Sequence, residues 1–377
     1  MVRRILIILI SFSAFICLST NIHAQEATLP DEYENVEEGI PDDILDLLPD
    51  GLFSNDLQSI IDALEDITSW EFISGFVFDV LGIKLKDALR ALSVILGVLL
   101  IGALINMIKR SIMNTSLASA LDMLISIILV AALYRMASPM IEQSVRLLKQ
   151  IVLFVNSTSP VIVAMYAMGG NITSAAVQNF GLVVFLSILE NLCIIALETT
   201  LSICMALTLS SAFLSSNNLL PISIAIRRCF TMFIGLATLV FTTVISAQTI
   251  LTSKADSLSA KTAKMLALEI IPLVGGTVGE SLRTAGASIE YIRSNIGVAF
   301  IIILALMIIP TLISVAMYRL VFSVSGSVAS ILACGNEEKL LGEISGIFGY
   351  ALAVLSICSI VLIFLITIFA KSASPLV

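Results

Sequence analysis

The chain has 377 residues, of which 58% are hydrophobic and 13% charged. A water-soluble domain carries about 45–50% apolar and about 25% charged residues, so a single buried core cannot absorb this composition and lipid must cover much of the surface. The formal net charge of −8 is unevenly spread: 16 acids and no Lys or Arg lie between Gln25 and Ile83, then 12 acids face 18 bases from Lys84 onward. The acidic stretch would be repelled by phosphates, which excludes nucleic acid as its partner; it reads as a solvated spacer. The six cysteines, Cys17, Cys193, Cys204, Cys229, Cys334 and Cys358, form no C-x-x-C pair, no disulfide framework and no zinc spacing. His23 is the sole histidine. Once the N-terminal signal is removed, Ser-His-Asp catalysis and histidine-based metal sites are both excluded. The expectation is a chain with no catalytic residues, no cofactor and no metal.

Residues 1–24 read as a secretory signal: Arg3 and Arg4, an apolar run from Ile5 to Leu18, and a small residue at Ala24 before Gln25. An uncleaved anchor helix is the alternative, and either one exports the acidic stretch. Residues 25–83 form an acidic extracytoplasmic segment. Its first part, rich in Pro30, Pro41, Pro49 and Gly51, reads as extended or loosely ordered. Leu57, Ile60, Ile61 and Leu64 then recur at helical spacing, with Asp62, Glu65 and Asp66 opposite. This short amphipathic helix either packs on the membrane body or docks a partner helix.

The fold class expected for residues 84–377 is all-α and polytopic, with about seven spans near 88–108, 117–137, 151–168, 180–205, 229–251, 296–318 and 345–370. A span needs about 20 apolar residues. Pro139–Gln150, with Glu142, Arg146 and Lys149, reads as an amphipathic connector at the interface. Seven spans starting outside leave Lys371 inside, with Lys109, Arg110, Lys254, Lys261 and Lys264, while Arg227 and Arg228 fall outside against the positive-inside rule.

Glu190 and Glu198 lie in the fourth span, about 80° apart on the helix. A carboxylate in lipid is expensive unless paired, protonated or wetted, so they mark a polar pathway or pair with Arg227, Arg228, Arg319 or another subunit. Pro160 with Gly169-Gly170-Asn171, and Pro272 with Gly275, Gly276 and Gly279, interrupt the two halves of the chain. Such interruptions are either interfacial loops or discontinuous helices at a transport site. Beyond Pro272 the pattern gives a helix lying in the headgroup layer, which turns at Asn295-Ile296-Gly297 into the next span. Gly342-x-x-x-Gly346 opens the last span with a small-residue face that lets helix backbones approach.

The run from Glu269 to Arg319, "EIIPLVGGTVGESLRTAGASIEYIRSNIGVAFIIILALMIIPTLISVAMYR", resembles the stage III sporulation protein AE family of endospore-forming bacteria. So does "SPVIVAMYAMGGNITSAA" from Ser159 to Ala176, and the order of signal, acidic exported segment and polytopic body. Arg293-Ser294 departs from the family pattern, where a Lys-Asn-like pair would stand. The resemblance implies a structural membrane subunit of an assembly linking mother cell and forespore, a channel or secretion-like apparatus in the mother-cell membrane around the forespore. It implies other membrane subunits as partners, alongside the lipid bilayer, and leaves room for a homo-oligomer. The rival expectation from the residues is a secondary transporter with Glu190 and Glu198 as coupling carboxylates.

Overall fold

The computed structural model describes residues 31–49, 51–54, 57–109, 115–168, 172–212, 219–270 and 275–371. A 3-10 helix, Asp31–Gly39, leads into α1 (Asp42–Leu45), α2 (Leu57–Thr68), α3 (Trp70–Lys109), α4 (Thr115–Met168) and α5 (Ile172–Ile188). A π-helical turn, Leu189–Ile194, joins α5 to α6 (Ile195–Ser211). Then come α7 (Leu219–Ile270), α8 (Gly275–Ile331) and α9 (Gly335–Lys371). No strand occurs among the described residues. Six helices are long and apolar enough to cross a membrane, and the protein is an all-α polytopic membrane protein. The signal region, Gly169, Gly170 and Pro272 lie outside the described residues.

The acidic N-terminal segment is a packed strap, contrary to the loose spacer read from its composition. Tyr33, Val36, Ile40 and Ile44 are buried and meet α4 and α8. The Tyr33 ring stacks on Phe300 at 6.4 Å and meets Phe53 at a tilt at 5.9 Å, and its hydroxyl donates to the Leu52 carbonyl at 2.9 Å. Gly51, at φ +98, makes the turn that presents this carbonyl. Gly39 lies so close to α4 that a Cβ there would stand 2.7 Å from the Ser157 Cβ. Helix α2 packs on the membrane body, the simpler of the two sequence expectations: Ile60, Ala63, Leu64 and Ile67 are buried toward α8 and α3. The Phe72 amide donates to the Ser69 hydroxyl at 3.1 Å, which caps α3 at its start.

Two expected spans fuse. Helix α4 runs 54 residues through Pro139 and Pro160, whereas the sequence suggests separate spans at 117–137 and 151–168. Proline costs a soluble helix about 3 kcal/mol, but surrounding helices in a membrane satisfy the freed backbone groups. The expected connector is continuous with the rod and keeps its amphipathic pattern: Ser144, Val145, Leu147 and Leu148 are buried, Glu142, Arg146 and Lys149 are exposed, and Gln143 Nε2 donates to Thr311 Oγ1 at 3.4 Å. Helix α8 likewise runs unbroken through Asn295-Ile296-Gly297 and Pro310, so no turn occurs there. Gly297 serves close packing instead, since a Cβ on it would lie 2.5 Å from the Ala370 Cβ on α9.

The long rods alternate in direction. At the strap end, Gly297 meets Ala370, the Thr173 amide donates to Asp256 Oδ1 at 3.1 Å, and Phe154 meets Phe300 edge-on at 6.0 Å. At the opposite end, Asn106 Nδ2 donates to Cys334 Sγ at 3.8 Å, and Arg227 pairs with Glu343. Six rods therefore return Lys371 to the strap end, whereas seven spans would place it opposite. Helix α8 closes on a turn with Ala333 at φ 56; the Cys334 amide donates to the Ala329 carbonyl at 2.9 Å and the Ala333 amide to Ser330 at 3.1 Å. This is a Schellman cap with alanine where glycine is usual.

Candidate functional site

The apolar rods carry few charges, so each buried one identifies a place where the bundle is specialised. Arg227 on α7 is 8% exposed. Its Nη2 donates to Glu343 Oε2 at 2.6 Å and its Nη1 to the Glu343 backbone carbonyl at 2.8 Å. One guanidinium thus grips α9 by both a carboxylate and a carbonyl, a fork geometry that lysine cannot reproduce.

The glycines of α9 make room for this grip. A Cβ at Gly346 would stand 3.1 Å from Arg227 Nη1, and one at Gly349 would stand 3.2 Å from Arg319 Cζ. The small-residue face expected to receive a helix backbone receives two guanidinium groups there. Gly342 has open space around it. Arg319 is further tied to α9 by the Ser345 hydroxyl, which donates to the Arg319 carbonyl at 3.2 Å.

The sequence candidates fall differently. Glu190 sits in the π-helical turn, and its side chain is outside the described residues. Glu198 is exposed on α6 and forms no ion pair with Arg227, Arg228 or Arg319 among the described residues. Arg228 is exposed. Pro160 lies inside α4 without ending it. Gly275 and Gly276 open α8, five residues after α7 ends at Ile270.

Two features escape the sequence reading. Glu343 is the half-buried carboxylate partner, and the signal for it is present: Glu343 and Tyr350 stand seven residues apart on one face of the last span. The other is Arg293, fully buried, with no hydrogen bond to any of its three guanidinium nitrogens among the described residues. It lies 5.4 Å from the centroid of the Tyr166 ring, a cation–π contact.

Around the Arg227–Glu343 pair, polar side chains continue into the bundle. Cys204 on α6 lies beside both charges, and its thiol points to the Ser223 carbonyl at 3.6 Å. Tyr350 lies beside Thr200 and Cys204, and Cys193 beside Cys358. No group of three or more His, Cys, Asp or Glu side chains is placed to hold a metal ion among the described residues.

Comparison with known proteins gives one positive finding: the family model described as stage III sporulation protein AE matches residues 55–373. No curated protein and no solved structure matches the chain. The matched range contains every long rod and the Arg227–Glu343 pair, and leaves out the 3-10 helix and α1 of the strap.

Proposed function

From the chain's membership of the stage III sporulation protein AE family, we propose that this sporulation membrane protein is a structural subunit of a channel or secretion-like complex between mother cell and forespore, needed after engulfment. Its place in this reading is the mother-cell membrane surrounding the forespore. The strap end faces away from the mother-cell cytoplasm, because the N-terminal signal exports it. The opposite end gathers Lys109, Arg227, Arg228 and Arg319, while Lys254, Lys261 and Lys371 fall toward the strap end, so the basic residues alone do not set the orientation.

The observation that supports an assembly role beyond family membership is Glu198. It stands exposed on α6, within a candidate span. A carboxylate facing lipid costs several kcal/mol, so a basic or hydrogen-bonding group from another membrane subunit is its natural cover. Deleting the gene should leave vegetative growth normal and halt spore development after engulfment. Glu198→Lys should reproduce the block while the protein still accumulates in the membrane. Slow vegetative growth of the deletion strain would point instead to a housekeeping transporter. Normal spores from the Glu198→Lys strain would remove Glu198 from the assembly.

A further inference from the structure

Contacts between rods set heights along the bundle, counted from the Arg227–Glu343 pair toward the strap end at about 1.5 Å per residue. On α7 no Asp, Glu, Lys or Arg occurs between Arg228 and Lys254, and Phe230, Met232, Leu236, Val240, Val244 and Leu251 are exposed. This lipid-facing zone runs from about 4 to about 36 Å, enough to cross a hydrocarbon core of about 30 Å. On α4, Gln143 meets Thr311, and Arg319 meets Ser345 two residues beyond Glu343. These contacts put Arg135 at about 3 Å, Arg146 at about 20 Å and Lys149 at about 24 Å. On α6, Glu198 stands at about 9–15 Å, bracketed by Cys204 beside Glu343, Thr200 beside Tyr350 and Cys193 beside Cys358.

At the heights where α7 offers lipid only apolar side chains, α4 therefore offers charge. Arg135, Glu142, Arg146 and Lys149 are exposed and fall within about 60° of one another. The Ser138 hydroxyl donates to Glu142 at 3.4 Å, and the three bases form no hydrogen bond or ion pair among the described residues. Arg146 is near the middle of the zone, too deep for its side chain to reach either boundary, and hydrocarbon is a costly neighbour for it. Glu198 is the complementary case, an exposed carboxylate without an ion pair at nearly the same depth. Ser202, Ala206 and Ser210 continue its exposed face along α6, and such small side chains let another helix come close.

We propose that Glu198 on α6 of one chain pairs with Arg146 on α4 of a second copy of this chain lying beside it in the same bilayer. Copies inserted in one orientation match height for height, so the acid of one copy meets the basic stripe of the next. Side chains lean toward the N-terminus of their helix. Helix α4 starts at the end away from the strap, so Arg146 leans down from about 20 Å; α6 runs the other way, so Glu198 leans up from about 9–15 Å. The two converge, whereas Arg135 leans away. One contact thus covers a cation and a carboxylate that hydrocarbon would otherwise meet. The inference rests on the reading of Glu198 as covered by another membrane subunit, and it names that subunit.

The test uses the full chain with Cys229→Ser, since Cys229 is the exposed native thiol among the described residues. Chains with Glu198→Cys and chains with Arg146→Cys, made together in one membrane and treated with a short bifunctional thiol cross-linker, should give at least fivefold more dimer than either made alone. Leu236→Cys, at about 14 Å on the lipid-facing side of α7, should give no dimer above background with Arg146→Cys. Glu198→Arg and Arg146→Glu should each lower the oligomeric fraction in mild detergent at least fivefold, and the chain carrying both exchanges should recover most of it. Equal cross-linking in the Glu198→Cys and Leu236→Cys mixtures overturns the pairing, as does a double exchange that restores nothing. Labelling of Arg146→Cys by a membrane-impermeant thiol reagent in otherwise unchanged chains would put the stripe in water and overturn it too. If Glu198→Lys blocks spore development while Glu198→Cys never cross-links to Arg146→Cys, Glu198 keeps its place in assembly, its partner is a different protein, and this inference alone falls.

Discussion

Tyr33 offers the sharpest test of whether the acidic strap is docked. Its ring is fully buried against Phe300 and Phe53, and its hydroxyl donates to the Leu52 carbonyl. Truncation of a buried aromatic side chain to alanine costs about 3–5 kcal/mol. At about 1.4 kcal/mol per decade, Tyr33→Ala should raise the undocked fraction of the strap roughly a hundredfold to several thousandfold. Tyr33→Phe removes only the hydrogen bond and leaves the Leu52 carbonyl without its donor, an effect of about 1 kcal/mol and roughly fivefold. Cleavage by a glutamate-specific protease at the exposed Glu37 and Glu38 reads this fraction when docking is fast relative to cutting. Burial also pushes the Tyr33 phenol well above its ordinary pKa of 10.0. Below about pH 10 docked and undocked straps both hold the neutral phenol, and the full contribution is present. Above it the undocked phenol ionises first, so docking weakens by up to tenfold per pH unit until the docked phenol ionises as well. Tyr33→Phe should abolish that pH dependence. A wild-type cleavage rate in folded Tyr33→Ala protein would refute the docked strap.

Three further substitutions probe the rods. Ala333→Gly should stabilise the protein by about 1 kcal/mol, because a left-handed residue with a Cβ carries roughly that strain; a lower melting temperature in detergent would count against the Schellman cap. Arg293→Met keeps the length of the side chain and removes a buried charge that has no hydrogen bond, so the melting temperature should rise, by analogy with buried ion groups whose apolar replacement gains about 1–4 kcal/mol. A fall of that size would show that the contact with the Tyr166 ring outweighs the cost of burying the charge. Gly297→Val should destabilise by about 1–3 kcal/mol through collision with Ala370, and Ala370→Gly should recover part of the loss; an unchanged melting curve would mean the two helices are farther apart than described.

The class of fold is legible because it depends on composition and on the length of apolar runs, and both survive without knowledge of neighbours. The number of rods is not, because Pro139 reads as a stop in isolation, while buried neighbours such as Leu147 and Leu148 hold the helix together across it. The strap is hidden by its own charge: Tyr33, Val36, Ile40 and Ile44 form an apolar row, but the acids between them dominate the pattern. Asn295-Ile296-Gly297 looks like a turn, because glycine permits one; the same missing Cβ also permits close contact, and only the position of Ala370 decides between them. Gly346 and Gly349 are sites of close approach, as their spacing suggests, but the group approaching is an arginine in each case. For the charges inside the bundle, the sequence draws attention to Glu190 and Glu198 within one span, whereas the described ion pair, Arg227 and Glu343, comes from two others.

The strap also fixes an order of events during synthesis. Tyr33 leaves the ribosome early, yet the Phe300 surface that receives it lies about 270 residues downstream. At about 5–20 residues per second, the strap waits roughly 15–50 s before its dock exists. Throughout that interval Tyr33, Val36, Ile40 and Ile44 are uncovered. The dense acids that flank them then have a use unrelated to the finished fold: mutual repulsion keeps newly made straps from associating with one another until α8 arrives.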